Sequence, residues 1–363
     1  MAISMVWRRG RTLLFMAVAV AALAVSGGAR AAEDPCDALA GETIRWIVPF
    51  GPGGYDAYSR ILAPFLATRL DAEIVVVNMP GAGGVVGAKH LHKARPDGRT
   101  LGLLHGSSLL VAELFGNADS PRLPADFTLL GRLTRDSDIW IVADASRFQT
   151  VDDLYAKDGE GPVVVGVSST ASKHWLSAII IGDLLGFEAD LVSGYKGAKA
   201  SLLGLLRGDF EMMGTVASTA IPRIEAGEVR PLLKIGQSTA GRHARFDDVP
   251  RLEGLDGLAV RRARALGRDP ELARSRASAL AGTIAAGRII AAPPGMDPGL
   301  AACLEGRLFE TMTDTTLNAA MVKAGRPLDI ASGTKAAALI RQAKRDAASI
   351  APIIRERIDK AKK

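Results

Sequence analysis

The stretch TIRWIVPFGPGGYDAYSRILAPFLATRL, residues 43–70, decides the fold of this chain. Its first eight residues are rich in β-branched and aromatic side chains, which predicts a buried strand. Residues 51–54 interrupt that strand with glycine and proline, and from Ala57 onward apolar side chains recur at helical spacing. A strand that passes through a glycine-rich loop into a helix is the building unit of α/β folds.

The same order of elements continues along the chain. Residues 73–77 are predicted to form a strand, residues 85–94 a helix and residues 100–105 a third strand. Strand and helix patterns alternate again between residues 139 and 236. This order predicts an α/β protein whose sheets are mostly parallel and carry helices on their faces.

The first 32 residues are predicted to be a secretory signal peptide. A basic start at residues 8–11 precedes an uncharged apolar run at residues 12–25, and an A-x-A cleavage pattern ends at Ala31. The apolar run is fourteen residues long, whereas a membrane-spanning helix needs roughly 20. Cleavage would place the protein in the periplasm, and an uncleaved N-terminal anchor is the alternative.

The net charge argues against a nucleic-acid partner. The chain carries a formal charge of +6, but four of its arginines and no acid lie in residues 1–32, so the remainder is close to +2. So small an excess does not predict nucleic-acid binding, although it is compatible with an anionic ligand. The remaining residues are enough for two lobes of ordinary size.

The chain has two cysteines, Cys36 and Cys303. In an oxidising compartment such a pair can form a disulfide, which here would tie the start of the mature chain to a C-terminal helix. Two unpaired thiols are the alternative.

Three loops each follow a predicted strand and precede a helix. In residues 53–56, glycine lets the backbone approach a ligand, and the free N–H groups of the next helix suit a carboxylate; a tight turn without a ligand is the alternative. Residues 81–87 lack the G-x-G-x-x-G spacing and the acidic residue of a dinucleotide site, so no such cofactor is expected. Residues 168–172 offer four hydroxyl groups, whereas capping the next helix would need only one.

Catalytic and metal chemistry find little support in the sequence. No serine lies in a G-x-S-x-G pattern, and no base is visible near a candidate nucleophile, which disfavours a hydrolase. His90 and His92 lie two apart on a helix and do not share a face, and no histidine spacing resembles a zinc site. The chain is therefore predicted to be a binding protein and not an enzyme, with neither metal nor cofactor.

The segment 261–276 is rich in arginine and poor in apolar side chains. A solvated helix face is the expected explanation, because runs of charge are usually solvated. A contact surface for a partner is the alternative, and the sequence leaves the role of the segment open.

Five motifs follow one another along the chain: VPFGPGG (48–54), NMPGAGG (78–84), RPDGRTL (95–101), GYKGA (194–198) and APPG (292–295). Taken together and in this order, they resemble the substrate-binding proteins of tripartite tricarboxylate transporters, the TctC or Bug family. The resemblance runs from about Gly41 to the C-terminus. It implies a type II periplasmic-binding-protein fold with a ligand cleft between two lobes, residues 41–134 with 235–363 and residues 135–234.

The resemblance also implies a ligand and a site. Ligands of the family are typically organic carboxylates, held by the loop after the first strand and by the serine-rich loop of the second lobe. Closure by a hinge near residues 133–144 and 228–236 is expected to desolvate the anion. The residues expected to line the cleft are Gly53, Gly54, Tyr55, Asp56, Ser107, Ser168, Ser169, Thr170, Ala171, Ser172, His174, Tyr195 and Thr215.

Three departures from the family pattern leave the identity of the ligand open. Only Tyr55 separates the double glycine from Asp56, where the family usually has two residues, and Ser193-Gly194 replaces the usual Val-Pro. The arginine-rich region near 261–276 is also longer than in the simplest members of the family. The expected partners are a small organic carboxylate and membrane transporter subunits, and the protein is expected to be a monomer. An orphan binding protein that presents its ligand to a sensor kinase is one alternative, and an envelope protein that has lost its ligand is another.

Overall fold

The computed structural model describes residues 34–156, 161–168, 172–195, 198–237 and 244–361. The signal peptide expected at residues 1–32 lies outside the described residues. Three members of the predicted site, residues 169–171, also lie outside them.

The described part of the chain contains eleven strands, which divide between two sheets. The first sheet has the strand order 11-4-10-3-1-2 and the second the order 7-6-8-5-9. The strands are β1 (Thr43–Val48), β2 (Glu73–Asn78), β3 (Thr100–His105), β4 (Thr128–Thr134), β5 (Asp138–Ala143), β6 (Val163–Gly166), β7 (Ala189–Val192), β8 (Met212–Val216), β9 (Val229–Ile235), β10 (Arg288–Ala292) and β11 (Ala331–Ser332).

Both sheets share one pattern of strand order and direction. β1 pairs in parallel with β2 and β3, and β6 pairs in parallel with β7 and β8. The next strand, β10 in the first sheet and β5 in the second, is antiparallel to its neighbours on both sides. Most strands of each sheet therefore run in one direction, which confirms the predicted α/β fold with two mostly parallel sheets.

β5 and β10 are also the strands that the chain enters when it arrives from the other sheet. β4 ends at Thr134 and β5 begins at Asp138, so residues 135–137 carry the chain from the first sheet to the second. β9 ends at Ile235, and the chain rejoins the first sheet at Arg288. The predicted hinge and lobe boundaries concern which parts of the protein move together, and they stay predictions.

Helices cover both sheets. No helix among the described residues is long and apolar enough to cross a membrane. The helices are α1 (Gly54–Leu70), α2 (Val85–His92), α3 (Gly106–Leu114), α4 (Asp153–Ala156), α5 (Lys173–Leu185), α6 (Ala198–Arg207), α7 (Ala217–Glu225), α8 (Leu258–Ala265), α9 (Pro270–Ala285), α10 (Pro298–Thr313), α11 (Thr315–Lys323), α12 (Gly333–Asp346) and α13 (Ala351–Ala361).

Side-chain caps fix where several of these helices begin. Ser172 precedes α5 and accepts a hydrogen bond from the amide of Trp175, and Asp269 caps α9 in the same way with Pro270 at its first position. Helix α1 differs, because it follows Gly53 and has no side-chain cap. The N–H groups of its first turn are therefore not taken by a capping side chain.

The arginine-rich segment 261–276 packs at the C-terminal end of α5. Arg262 Nε donates to the carbonyl of Leu185 (2.7 Å), and Arg268 Nη1 donates to the carbonyl of Asp183 (2.8 Å). The last carbonyls of a helix lack intrahelical partners and favour cations. Part of the segment expected to be a solvated face thus caps α5.

A disulfide joins Cys36, in a short 3₁₀ helix at Pro35–Leu39, to Cys303 of α10. The Cα atoms of the two cysteines lie 5.9 Å apart. The bond ties the first described residues to the helices that cover the first sheet.

Candidate ligand site between the two sheets

The crossover from the first sheet to the second carries two buried acids, Asp136 and Asp138. An unpaired buried carboxylate is strongly unfavourable, so each needs a partner. Asp136 accepts a hydrogen bond from Arg288 of β10, and Asp138 Oδ1 accepts one from Lys173 Nζ at 2.6 Å. Lys173 Nζ also lies 3.7 Å from Asp136 Oδ2, so this lysine joins the two acids.

These four groups, which we call the interlobe charge cluster, hold one another ionised. Burial alone would raise the pKa of Asp136, but Arg288 and Lys173 lower it far below its usual value. Burial likewise opposes ionisation of Asp138, and Lys173 again lowers its pKa. The cluster therefore contains two negative and two positive charges at neutral pH, contributed by both sheets and by the N-terminus of α5.

Two histidines flank the cluster. His105 Nε2 lies 3.6 Å from Asp136 Oδ2, and His174 Nε2 lies 3.4 Å from Asp138 Oδ2. Burial lowers the pKa of His105 despite the opposing effect of Asp136. His105 is therefore neutral at pH 7.

His105 also has a serine neighbour that the sequence did not predict. Its Nδ1 makes a hydrogen bond with Ser108 Oγ, which puts a base beside a candidate nucleophile. Ser108, His105 and Asp136 would be the nucleophile, base and acid of a hydrolase triad. However, the 3.6 Å between His105 Nε2 and Asp136 Oδ2 exceeds a hydrogen-bond length. Since Arg288 also binds the Asp136 carboxylate, the geometry does not orient His105 as a triad requires.

Two tyrosines of α1 cover the arginine of the cluster. Arg288 Cζ lies 4.6 Å from the ring centroid of Tyr55 and 4.7 Å from that of Tyr58, which are cation–π distances. The Tyr55 ring also contacts the rings of Phe50 and His105, at 4.9 and 5.3 Å between centroids. The loop after the first strand, predicted to hold the ligand, therefore meets the charge cluster through Tyr55.

Several buried polar atoms at this place have no hydrogen-bond partner among the described residues. They are Tyr55 Oη, Arg288 Nε, Asp138 Oδ2 and His174 Nε2. An unsatisfied buried group costs about 1–3 kcal/mol, and buried groups are nearly always bonded. Tyr55 and Arg288 offer hydrogen-bond donors, which a carboxylate oxygen would accept.

The predicted site residues that lie in or beside the cluster come from both loops. Tyr55 contacts Arg288 of the cluster, and Gly54 follows Gly53 at the start of α1. Ser172 and His174 lie on either side of Lys173, at the N-terminus of α5.

Other predicted site residues have partners of their own. Asp56 accepts a hydrogen bond from Arg60 Nε at 2.9 Å, and Ser107 Oγ donates to the carbonyl of Ile284 at 2.9 Å. Ser168 is exposed and lies two residues beyond the end of β6. Direct ligand contact by these residues stays a prediction.

Neither Tyr195 nor Thr215 makes a hydrogen bond to the charge cluster among the described residues. The hydroxyl of Tyr195 donates to Asp209 at 3.0 Å. Thr215 is paired with Ile139 across β8 and β5, so its side chain lies on the sheet face opposite to Asp138. Its buried hydroxyl has no partner among the described residues, and ligand contact by Thr215 stays a prediction.

The sequence analysis missed the four charged residues of the cluster, although two of them carried a signal. Lys173 occupies the first position of α5, where the helix dipole disfavours a cation. Arg288 opens the otherwise apolar strand β10. A cation at the start of a helix or in an apolar strand indicates a buried acidic partner. Neither position indicates which acid that partner is.

A separate pocket lies at the other end of α5, with a volume of about 460 Å³. Its walls include Gly186, Phe187, Arg268 and Arg357. Arg268 and Arg357 donate to the carbonyls of Asp183 and Ala189, so both side chains already have partners there. Tyr55 Oη and Arg288 Nε, by contrast, have no hydrogen-bond partner among the described residues.

Comparison with known proteins gives one family. The family model described as tripartite tricarboxylate transporter family receptor matches residues 58–264. A protein of the tcbD–tcbE intergenic region of Pseudomonas sp. (strain P51) is 29% identical over 231 residues, which is 61% of this chain. The match spans 66% of that relative, just under two thirds of its length.

Solved structures share the fold. A ligand-free TctC solute-binding protein from Polaromonas superimposes with a TM-score of 0.60 at 22% identity, covering 87% of this chain and 98% of that one. MatC from Rhodopseudomonas palustris, solved with bound malate, gives a TM-score of 0.63 at 20% identity, covering 86% and 97%. At such identities the likeness concerns the fold alone.

Proposed function

This chain belongs to the family of tripartite tricarboxylate transporter receptors, and on that premise we propose that it captures a small organic carboxylate between its two sheets. The observation that carries the proposal is the pair of unpartnered buried donors, Tyr55 Oη and Arg288 Nε, inside a cluster built from both halves of the fold. A carboxylate satisfies such donors and gains charge-assisted hydrogen bonds. The malate bound to MatC supports the same ligand class.

Capture follows from where the charges lie. Asp136 sits in the crossover between Arg288 of the first sheet and Lys173 of α5. Opening of the cleft would draw Lys173 away from Arg288 and admit water and ligand. Closure would bring both cations around the ligand and exclude water, which strengthens every charge interaction inside. The role is binding and release without a covalent step.

We place the protein in the periplasm, where it would deliver its ligand to the membrane subunits of a tripartite transporter. Three observations support this location. The sequence begins with the pattern of a signal peptide. The disulfide between Cys36 and Cys303 suits an oxidising compartment. The family itself is one of transporter receptors.

A thermal-shift screen tests the proposed function. The purified protein is mixed with mono-, di- and tricarboxylates, aromatic acids and amino acids. A ligand present at about a hundred times its dissociation constant should add about 2.7 kcal/mol to the free energy of unfolding. Tyr55→Phe removes one unpartnered donor and should weaken the shift, whereas Tyr195→Phe, whose hydroxyl is bound to Asp209, serves as the matched control.

Two results would speak against carboxylate capture. One is the absence of any shift from a protein that native mass spectrometry shows to be free of bound ligand. The other is a shift that Tyr55→Phe and Tyr195→Phe reduce equally.

A further inference from the structure

Two helices connect the interlobe charge cluster with a second place in the molecule. Helix α5 begins at Lys173, a member of the cluster, and Asp183 lies near its other end. In the first half of α9, Arg276 contacts Asp183, and shortly after the end of α9 the chain reaches Arg288 of the cluster. The two helices are therefore antiparallel, and both run between the cluster and the C-terminal end of α5.

The far end of this helix pair is held by three side chains of the arginine-rich segment. Arg262 Nε donates to the carbonyl of Leu185 at 2.7 Å, and Arg268 Nη1 donates to the carbonyl of Asp183 at 2.8 Å. Arg276 Nη1 donates to Oδ2 of the Asp183 carboxylate at 3.3 Å. We call Arg262, Arg268 and Arg276 the arginine clamp, because they join the end of α5 to α8, to α9 and to the turn between them.

The other end of α9 is fixed to the first half of the fold. Ser107 Oγ, in α3, donates to the carbonyl of Ile284 at 2.9 Å, and the amide of Gly106 donates to the carbonyl of Gly287 at 2.9 Å. The next residue is Arg288, which opens β10. Helix α9 therefore has a fixed position relative to the arginine of the cluster.

Apolar packing connects the two ends of the helix pair. Ala277 and Leu280 of α9 are buried in the same core as Ile180 and Leu184 of α5. Helix α9 also contacts α12, which packs on β4 of the first sheet. Because closely packed helices interdigitate, α5 can slide along α9 only if the arginine clamp or this core yields.

The contact between Lys173 and Asp136 leaves little room for such sliding. Lys173 Nζ lies 3.7 Å from Asp136 Oδ2, and the lysine side chain is only 7% exposed, so its neighbours confine it. An ion pair needs a separation of about 4 Å or less. One residue along a helix axis is about 1.5 Å, which is more than the margin that remains. The position of α5 along α9 thus decides whether Lys173 lies beside Asp136.

We propose that Arg268 and Arg276 are positioning residues for the ligand site and act through α5 and α9 on the separation of Lys173 and Arg288. The consequence for ligand affinity rests on the proposed function. The two cations of the cluster come from different halves of the fold, and the arginine clamp holds them at a fixed separation. This gives the arginine-rich segment a role other than a solvated helix face or a partner surface.

Calorimetric titration of the protein as purified compares two matched variants. The clamp variant, Arg268→Ala with Arg276→Ala, removes both contacts with Asp183. The control variant, Arg264→Ala with Arg274→Ala, removes the same charge from the same segment, at side chains that are 59% and 41% exposed. The acid that gives the largest thermal shift is the titrant.

Affinity for this acid should fall about five-fold or more in the clamp variant, the usual size of a coupling between distant sites. It should stay unchanged in the control variant. Replacing Arg268 and Arg276 with lysine keeps both charges and should recover part of the affinity; this variant also serves where the alanine pair does not fold. Unchanged affinity in a clamp variant that melts at a lower temperature would show that the arginines only stabilise the fold. That result, or equal losses of affinity in clamp and control variants, overturns the inference.

A double-mutant cycle in urea tests the same coupling without a ligand. Asp136→Asn is measured in the original protein and in the clamp variant. The two places are separated by the 13 residues of α5, about 20 Å, and substitutions so far apart normally contribute additively to the free energy of unfolding. The inference expects Asp136→Asn to lose less stability in the clamp variant, because Lys173 is then no longer held beside Asp136.

Additive losses in this cycle contradict the inference while leaving carboxylate capture intact. Failure of the original protein to bind any acid contradicts the proposed function, and the cycle then decides the inference by itself.

Discussion

Arg288 donates a hydrogen bond to Asp136, and this pair joins the strand at which the chain re-enters the first sheet to the crossover that leaves it. The side chains are 8% and 2% exposed, so the pair is shielded from water and screened little by salt. Lys173 extends the pair to Asp138 in the second sheet. Replacing either residue of this pair should therefore change the free energy of unfolding as well as the affinity for ligand.

Replacing Asp136 with asparagine should destabilise the protein, because Arg288 and Lys173 would lose a buried counter-charge. Breaking a buried ion pair on one side typically costs about 3–5 kcal/mol. Urea unfolding monitored by circular dichroism measures the loss. Asp256→Asn is the matched control, since the Asp256 side chain is 87% exposed and its loss should change little. Similar losses in both variants would argue that the cluster is not held by ion pairing.

The stability of the protein should fall as the solution is acidified below about pH 6.5, partly because of His105. Burial lowers the pKa of this imidazole in the folded protein, whereas the unfolded chain has an ordinary value near 6.5. The unfolded state therefore binds more protons between the folded and unfolded pKa values, and the free energy of unfolding decreases with falling pH. Asp136, which raises this pKa, and Lys173 and Arg288, which lower it, set the folded value together.

His105→Asn checks this prediction. Urea unfolding at about pH 7.5 and about pH 5.5 should show a smaller loss of stability in the variant than in the original protein. Equal losses in the two proteins would mean that His105 does not carry the pH dependence.

Gly287→Ala should destabilise the protein more than Gly267→Ala, although both glycines have a left-handed backbone, with φ of +62° and +64°. A left-handed alanine costs about 1–2 kcal/mol by itself. At Gly287 the added Cβ would also collide with the carbonyl of Thr134 beside the crossover, whereas at Gly267 it would meet open space. Thermal melting of the two variants compares their losses of stability. An equal loss would show that the crossover backbone moves to accommodate the added Cβ at no cost.

Removal of the disulfide should lower stability by about 2–5 kcal/mol, because the bond between Cys36 and Cys303 closes a long loop and restricts the unfolded chain. The double variant Cys36→Ser, Cys303→Ser is compared with the original protein in denaturant, with and without a reducing agent. Reductant should destabilise the original protein alone. If neither the reductant nor the double substitution has an effect, the bond contributes nothing to stability in solution.

Local signals in the sequence predicted several elements correctly. A helix was expected directly after the serine-rich loop, and helix α5 begins there at Lys173, because Ser172 caps its start. Gly186, with a left-handed backbone, ends it. Helix α3 was not predicted, since its opening Gly106 is typical of a turn and its Ser107 is held by the distant carbonyl of Ile284. A tertiary contact there outweighs the local preference.

The sequence by itself determined the alternation of strands and helices and the α/β class. These properties follow from periodicity and glycine placement, which are local, whereas the two lobes were implied by the family resemblance. Only the tertiary structure decided which charges meet, because Arg288 and Asp136 lie 152 residues apart and Lys173 and Asp138 lie 35 apart. A charged side chain needs a partner once it is buried. Which residue becomes that partner depends on how the chain crosses between the two sheets.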